Sequence, residues 1–145
     1  MADFVVSLTT KGREMEAQQL LYGYGFSIDF FELGAGGHDP GNPTLALPLD
    51  TDVLELPGQF FGPEPIDVRD LVTPTCPRFT CIVQAGEGVG GISNLGLVAT
   101  VLSVPAGSPT TAPAVGSTFL YAITNFPLRY KVSASMETFT VSIKT

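Results

Sequence analysis

Glycine and proline interrupt this chain so often that no long helix survives in it. There are 16 glycines and 12 prolines among 145 residues, and the segments between them are rich in Val, Ile, Phe and Thr. Proline removes a backbone donor and glycine opens positive φ, so the pattern predicts short strands joined by tight turns. The length is that of one domain, 1–145, large enough to bury a core.

Helical spacing is confined to the N-terminal part. Thr9 or Thr10 caps a helix over about 9–22, Glu14 and Glu16 sit near its positive end, and Gly23 and Gly25 end it. Met15, Gln18 or Gln19 and Tyr22 line one side, and Ala17, Leu20 and Leu21 widen it into an apolar stripe. So short a helix needs a surface to lie on.

The β-rich core is expected from about residue 26 to 145. Phe26, Ile28 and Phe30 alternate with polar residues, and Phe31 and Leu33 then switch faces, the mark of a bulge. Residues 36–50 form a Pro/Gly-rich loop, Val53 to Leu56 reads as a short strand, and a turn-rich segment follows, anchored by Phe60, Phe61, Ile66, Val68 and Leu71. Phe79 to Gln84 and Leu95 to Val104 read as a hairpin, residues 105–117 as a second small-residue loop. Phe119 to Thr124 and Phe139 to Lys144 complete the strands. The fold class is mainly β (α+β): an antiparallel β-sandwich-like domain with one N-terminal amphipathic helix.

Gly86, Gly88 and Gly91 spell G-x-G-x-x-G, the spacing of a dinucleotide-binding loop. That chemistry requires a helix opening on the glycines and a later acid for the ribose. The residues after Gly91 are β-branched and no acid lies between Glu87 and Glu137. The glycines read as a strand connection, and no cofactor-binding residue is assigned.

Charge narrows the partners. Charged residues are only 14%, against about a quarter in an ordinary soluble domain, which points to faces covered by other subunits. The net charge is −7, with twelve of the fourteen acids before residue 71. Nucleic-acid wrapping needs basic patches, so nucleic acid is not an expected partner. The stretch "MADFVVSLTTKGREMEAQ" has no signal-peptide pattern and nothing reaches a membrane-spanning length, so no membrane insertion is expected.

Catalytic constellations are incomplete. His38 with Asp39, and Asp50 with Asp52, offer metal-type donors, yet they sit among Gly and Pro where such residues cap turns. No serine stands in a G-x-S-x-G turn to use His38, and Cys76 and Cys81 in "CPRFTC" read as unpaired, partly buried thiols. Tyr22, Tyr24, Tyr121 and Tyr130 offer stacking faces for a sugar ring. No catalytic, cofactor-binding or metal residues are assigned, and the chain is read as a non-enzyme.

Three segments carry a resemblance. "TTKGREMEAQQLLYGYGFSIDFFELGAGG" resembles the opening of bacteriophage tail-collar and tail-fibre attachment proteins, a short "lTxxGxxxxa" helix and then a strand ending in glycines. "FTCIVQAGEGVGGISNLGLVATV" resembles the family's strand pair around "i.E.GLya", with Leu95, Gly96 and Leu97 in the matching places. "GSTFLYAITNFPLRYK" resembles its closing "lfalanfP...K". Two departures stand out: Asn94 replaces the family's usual acid, and the sequence stops at Thr145 where many relatives continue into a fibre shaft and receptor-binding tip.

The resemblance implies a structural subunit of a phage tail. It would be an adaptor joining baseplate or tail tip to tail fibres, assembled in the host cytoplasm and resident in the virion. Its partners would be other tail, baseplate or fibre proteins and further copies of itself, a homo-oligomer. The alternative is a small β-sandwich module binding a glycan or receptor at the virion surface.

Overall fold

The computed structural model describes residues 2–143 (the side chain of Ala2 excepted), and the fold is mainly β with a single helix. Strand β1 spans Ala2–Leu8, helix α1 Thr10–Tyr22 and β2 Gly25–Gly34. A two-stranded hairpin follows, β3 (His38–Asp39) and β4 (Asn42–Ala46). Then come β5 (Gln59–Pro65), β6 (Val68–Thr73), β7 (Cys76–Val83) and β8 (Gly90–Ser103). Strands β9 (Thr118–Lys131) and β10 (Glu137–Ile143) close the order. Lys144, the expected end of the last strand, lies outside the described residues.

The eight large strands run in the order β5-β2-β8-β9-β1-β10-β7-β6. Their two halves share β1, which pairs parallel with β10 through Val6↔Ile143 and antiparallel with β9 from Ser7↔Ile123 onward. This first strand therefore turns the corner between two packed layers. Seven of the eight pairings formed by the ten strands are antiparallel; the β1–β10 ladder is the parallel one.

A second corner lies between β5 and β6. Phe30 of β2 pairs with Pro65, Ile66 donates its amide to Asp29 O at 3.0 Å, and the chain then crosses to pair Val68 with Thr80 of β7. Between the layers, alternate residues of β7 and β10 (Phe79, Cys81, Val83; Phe139, Val141, Ile143) meet Phe31, Leu33, Leu95 and Leu97. Period-two alternation in β10 is what sends those three side chains to one face.

Strand β8 is buried on both faces from Ile92 to Ala99. Leu95 and Leu97 face the central core, whereas Val98 faces a second cluster with Leu56, Leu120 and Ile123 under residues 49–58. Period-two alternation does this, since Leu95, Leu97 and Ala99 share one face and Val98 takes the other. The bulge expected in β2 is present: the β2–β8 register shifts between Ile28 and Phe30, after which Phe31 and Leu33 enter the core.

Several expectations need correction. Phe79–Gln84 and Leu95–Val104 do not form a hairpin, because β7 pairs with β6 and β10 while β8 pairs with β2 and β9. Their shared loop passes from one layer to the other. Val53–Leu56 is not a strand; its apolar residues serve as a cover, with Leu56 buried. The loop over 36–50 contains the small β3–β4 hairpin, and the turn-rich segment contains β5 and β6. Of its supposed anchors only Ile66 is buried and Phe61 half-buried; Phe60, Val68 and Leu71 are exposed. The 105–117 loop has no strand, as expected.

Candidate interaction surface

The helix is fastened to β9 by its first turn. Thr9 Oγ1 donates to Leu120 O at 2.6 Å and accepts from Gly12 N at 2.9 Å, a fully buried N-cap. Gly12 then lies directly on the Tyr121 carbonyl, where any Cβ would collide with the oxygen. One turn on, the Tyr121 hydroxyl donates to Glu16 Oε1. Burial first, and then that bond to Glu16, push the Tyr121 phenol above its usual range.

Only Gly12 and Met15 of the helix are buried. The expected apolar stripe is therefore corrected: Leu20 is 90% and Leu21 73% exposed, and Ala17 and Tyr22 are exposed as well. The helix docks through a glycine and one methionine and turns its leucines outward. The two exposed leucines are adjacent in the last turn of the helix.

The two terminal strands differ. Strand β5 carries Pro63 and Pro65, which have no N–H to offer a neighbour. Strand β6 has no proline, pairs among the described residues only with β7, and is exposed at all six positions. Its two charges are already matched: Arg69 reaches Ile28 O at 2.9 Å and Asp29 at 3.4 Å, and Asp70 pairs with Arg78.

Two concavities among the described residues bear on the surface. One, of about 630 Å³, lies between residues 54–59 and the outer face of β2, β8 and β9, with Glu32 and Glu55 among apolar residues such as Leu56 and Phe119. Burial, and then Glu55, hold the Glu32 carboxyl above the usual carboxylate range. The other, of about 620 Å³, runs beside β1 where it changes partner, between Val5 and Ile143 and under Arg13 and Glu16.

The residues singled out in the sequence are scattered. Gly86 and Gly88 lie in the connection from β7 to β8 and take left-handed conformations (φ 83° and 57°), while Gly91 is already within β8, a strand and not a helix. His38 Nδ1 lies 2.8 Å from Ser93 Oγ, which also accepts from Gly37 N, while Asp39 caps Gly41. Asp50 accepts from Asp52 N, and Asp52 takes the Thr10 hydroxyl at the start of α1. Each donor serves a different turn, and among the described residues no three such groups converge on a metal position.

Cys76 and Cys81 are both free and sit on one extended strand. Five residues of strand separate their Cα atoms by roughly 16 Å, beyond disulfide reach. Burial pushes the Cys81 thiol up to about 12. The four tyrosines make no common platform, since Tyr24 and Tyr121 are in the core while Tyr130 is exposed.

One residue's role escaped the sequence reading, that of the lysine which closes the third resembling segment. Lys131 is 2% exposed and its ammonium donates to Gln84 O at 2.9 Å and Ser135 O at 2.8 Å. It clasps the glycine loop to the turn after β9, and Gly86 N donates to Ser133 O beside it. A lone lysine in an alternating strand carries no mark of that role.

The chain matches no family model, no curated protein and no solved structure. Among the described residues no helix is long and apolar enough to cross a membrane.

Proposed function

We propose that this chain is a structural subunit of a bacteriophage tail, an adaptor that joins baseplate or tail tip to tail fibres through subunit interfaces. The observation that carries the reading is the surface. Seventeen large apolar side chains are exposed among the described residues, including Leu20, Leu21, Leu71 and Val72, while few charges keep neighbours away. A block built to be covered by other subunits has this character.

The arrangement of the three resembling segments supports it. They supply α1, β2, most of β7, β8 and β9; of these, β2-β8-β9 are consecutive in the sheet and α1 lies on β9, while β7 belongs to the other layer. Oligomers gain specificity from large complementary surfaces in closed symmetry. The glycan-binding alternative loses its aromatic platform with Tyr24 and Tyr121 in the core.

Labelled antibody against the chain should decorate tails in imaged virions, and deleting residues 1–22 should abolish incorporation. Particles that assemble and adsorb without the chain, and never contain it, overturn the reading.

A further inference from the structure

Among the described residues, the layer β1-β10-β7-β6 ends on a strand whose outer edge is unpaired. Such an edge is a template for another strand, and proteins that must stay apart blunt it with proline or an unmatched charge. Strand β5 has the proline device. Strand β6 has neither, because Arg69 and Asp70 are each neutralised within the chain. Val68, Leu71 and Val72 remain 49%, 61% and 52% exposed along it.

The usable window is short and symmetric. It opens at Val68, after the corner at Ile66 and Asp67, and closes at the register shift between Leu71 and Thr73. Its middle residue is Asp70. Reversed end for end, the window Val68-Arg69-Asp70-Leu71-Val72 brings valine onto valine and the Arg69 stem onto leucine.

We propose that two copies of this chain pair antiparallel along β6, with a two-fold axis at Asp70, fusing two four-stranded layers into one sheet of eight. The pairing deepens the homo-oligomer reading given above and rests on it. Val68 lies beside Val72 of the second copy, and Arg69 beside its Leu71. Across the axis the row reads Arg78, Asp70, Asp70, Arg78, since Asp70 and Arg78 are already cross-strand partners with Arg78 Nε 2.9 Å from the carboxylate. The Arg78 beside each aspartate offsets most of the repulsion between the two opposed carboxylates, and the apolar pairs on either side outweigh the remainder. An interface whose patch is its own complement is what a two-fold dimer requires.

The test is register-specific cross-linking of the full chain in a Cys76→Ser background, with sedimentation of the wild type alongside. Directly opposed antiparallel residues have Cα atoms about 4.5–5.5 Å apart, within disulfide range. Asp70→Cys should oxidise to a covalent dimer. Val68→Cys alone should not, and Val68→Cys with Val72→Cys should. Val68→Lys with Val72→Lys should sediment as a smaller species than wild type with an unchanged melting curve; if that variant fails to fold, the cross-linking still decides. A wild-type oligomer in which residue 70 never cross-links overturns the pairing alone. A wild type that is monomeric at every concentration overturns both the pairing and the homo-oligomer reading.

Discussion

Gly12 of the helix rests against the carbonyl oxygen of Tyr121 in β9, with no room between them for a Cβ atom. In an exposed helix, glycine to alanine gains about 1 kcal/mol. Here the sign reverses. Gly12→Ala is expected to cost about 1–3 kcal/mol through overpacking against backbone that cannot yield. Urea unfolding monitored by circular dichroism gives the difference, and a stabilised variant would show that the helix does not dock this way.

Thr9→Val keeps the shape of the cap and removes its hydroxyl. It leaves Leu120 O and Gly12 N without their side-chain partner in a fully buried site. The expected cost is about 2 kcal/mol, more than an exposed cap. The same unfolding measurement tests it; a loss under about 0.5 kcal/mol contradicts a buried cap.

These two residues show what the sequence could disclose. The helix start was readable to Thr9 or Thr10, because capping is local chemistry, and Thr9 is the cap. That Gly12 is there for β9 was not readable, since its reason lies more than a hundred residues away. For the same cause Leu20 and Leu21 misled: helical spacing implies an inward stripe only if the core reaches that far. The strands of β2 and β10 were legible from alternation. The separation of β7 from β8 was not, because a glycine loop looks the same whether it makes a hairpin or crosses between layers. Strand β1 was missed, as its parallel partner is at the far end of the chain. The β6 edge was hidden by prolines on either side, which read as turns.

Lys131→Met should lower stability by about 3 kcal/mol, because it strips the carbonyls of Gln84 and Ser135 of their buried cationic donor. The effect should be local as well as global. Hydrogen exchange at the Gly86 amide, which donates to Ser133 O at 2.7 Å, should accelerate well beyond that of the β8 core. Equal acceleration everywhere would mean that Lys131 is not the clasp.

Glu32 supplies a pH dependence of defined sign. Its carboxyl is held above the usual range in the folded protein by burial and then by Glu55, so the folded state binds a proton more tightly than the unfolded chain. Its contribution is most favourable below the unfolded carboxylate range and is lost as pH rises through the folded value. Glu32→Gln should therefore melt higher than wild type at neutral pH, and the gap should shrink towards about pH 4. Melting curves across that interval decide; a variant less stable than wild type at neutral pH contradicts the assignment.

The thiols should be distinguishable. Cys81 is fully buried with its thiol pushed up to about 12, whereas Cys76 is half-buried. A thiol-reactive dye at neutral pH should label one site in the native protein and two after denaturation. Native labelling at Cys81 would mean that the central layer opens readily.

The parallel ladder between β1 and β10 has a consequence for how the molecule is made. Ala2 to Val6 find their partners at Phe139 to Ile143, so this ladder cannot form until both segments have been synthesised. Until then the rim beside Phe4 stays bare, and closure of the two layers waits on a contact of very high sequence separation. Synthesis, more than any local turn, sets when this block becomes a finished part.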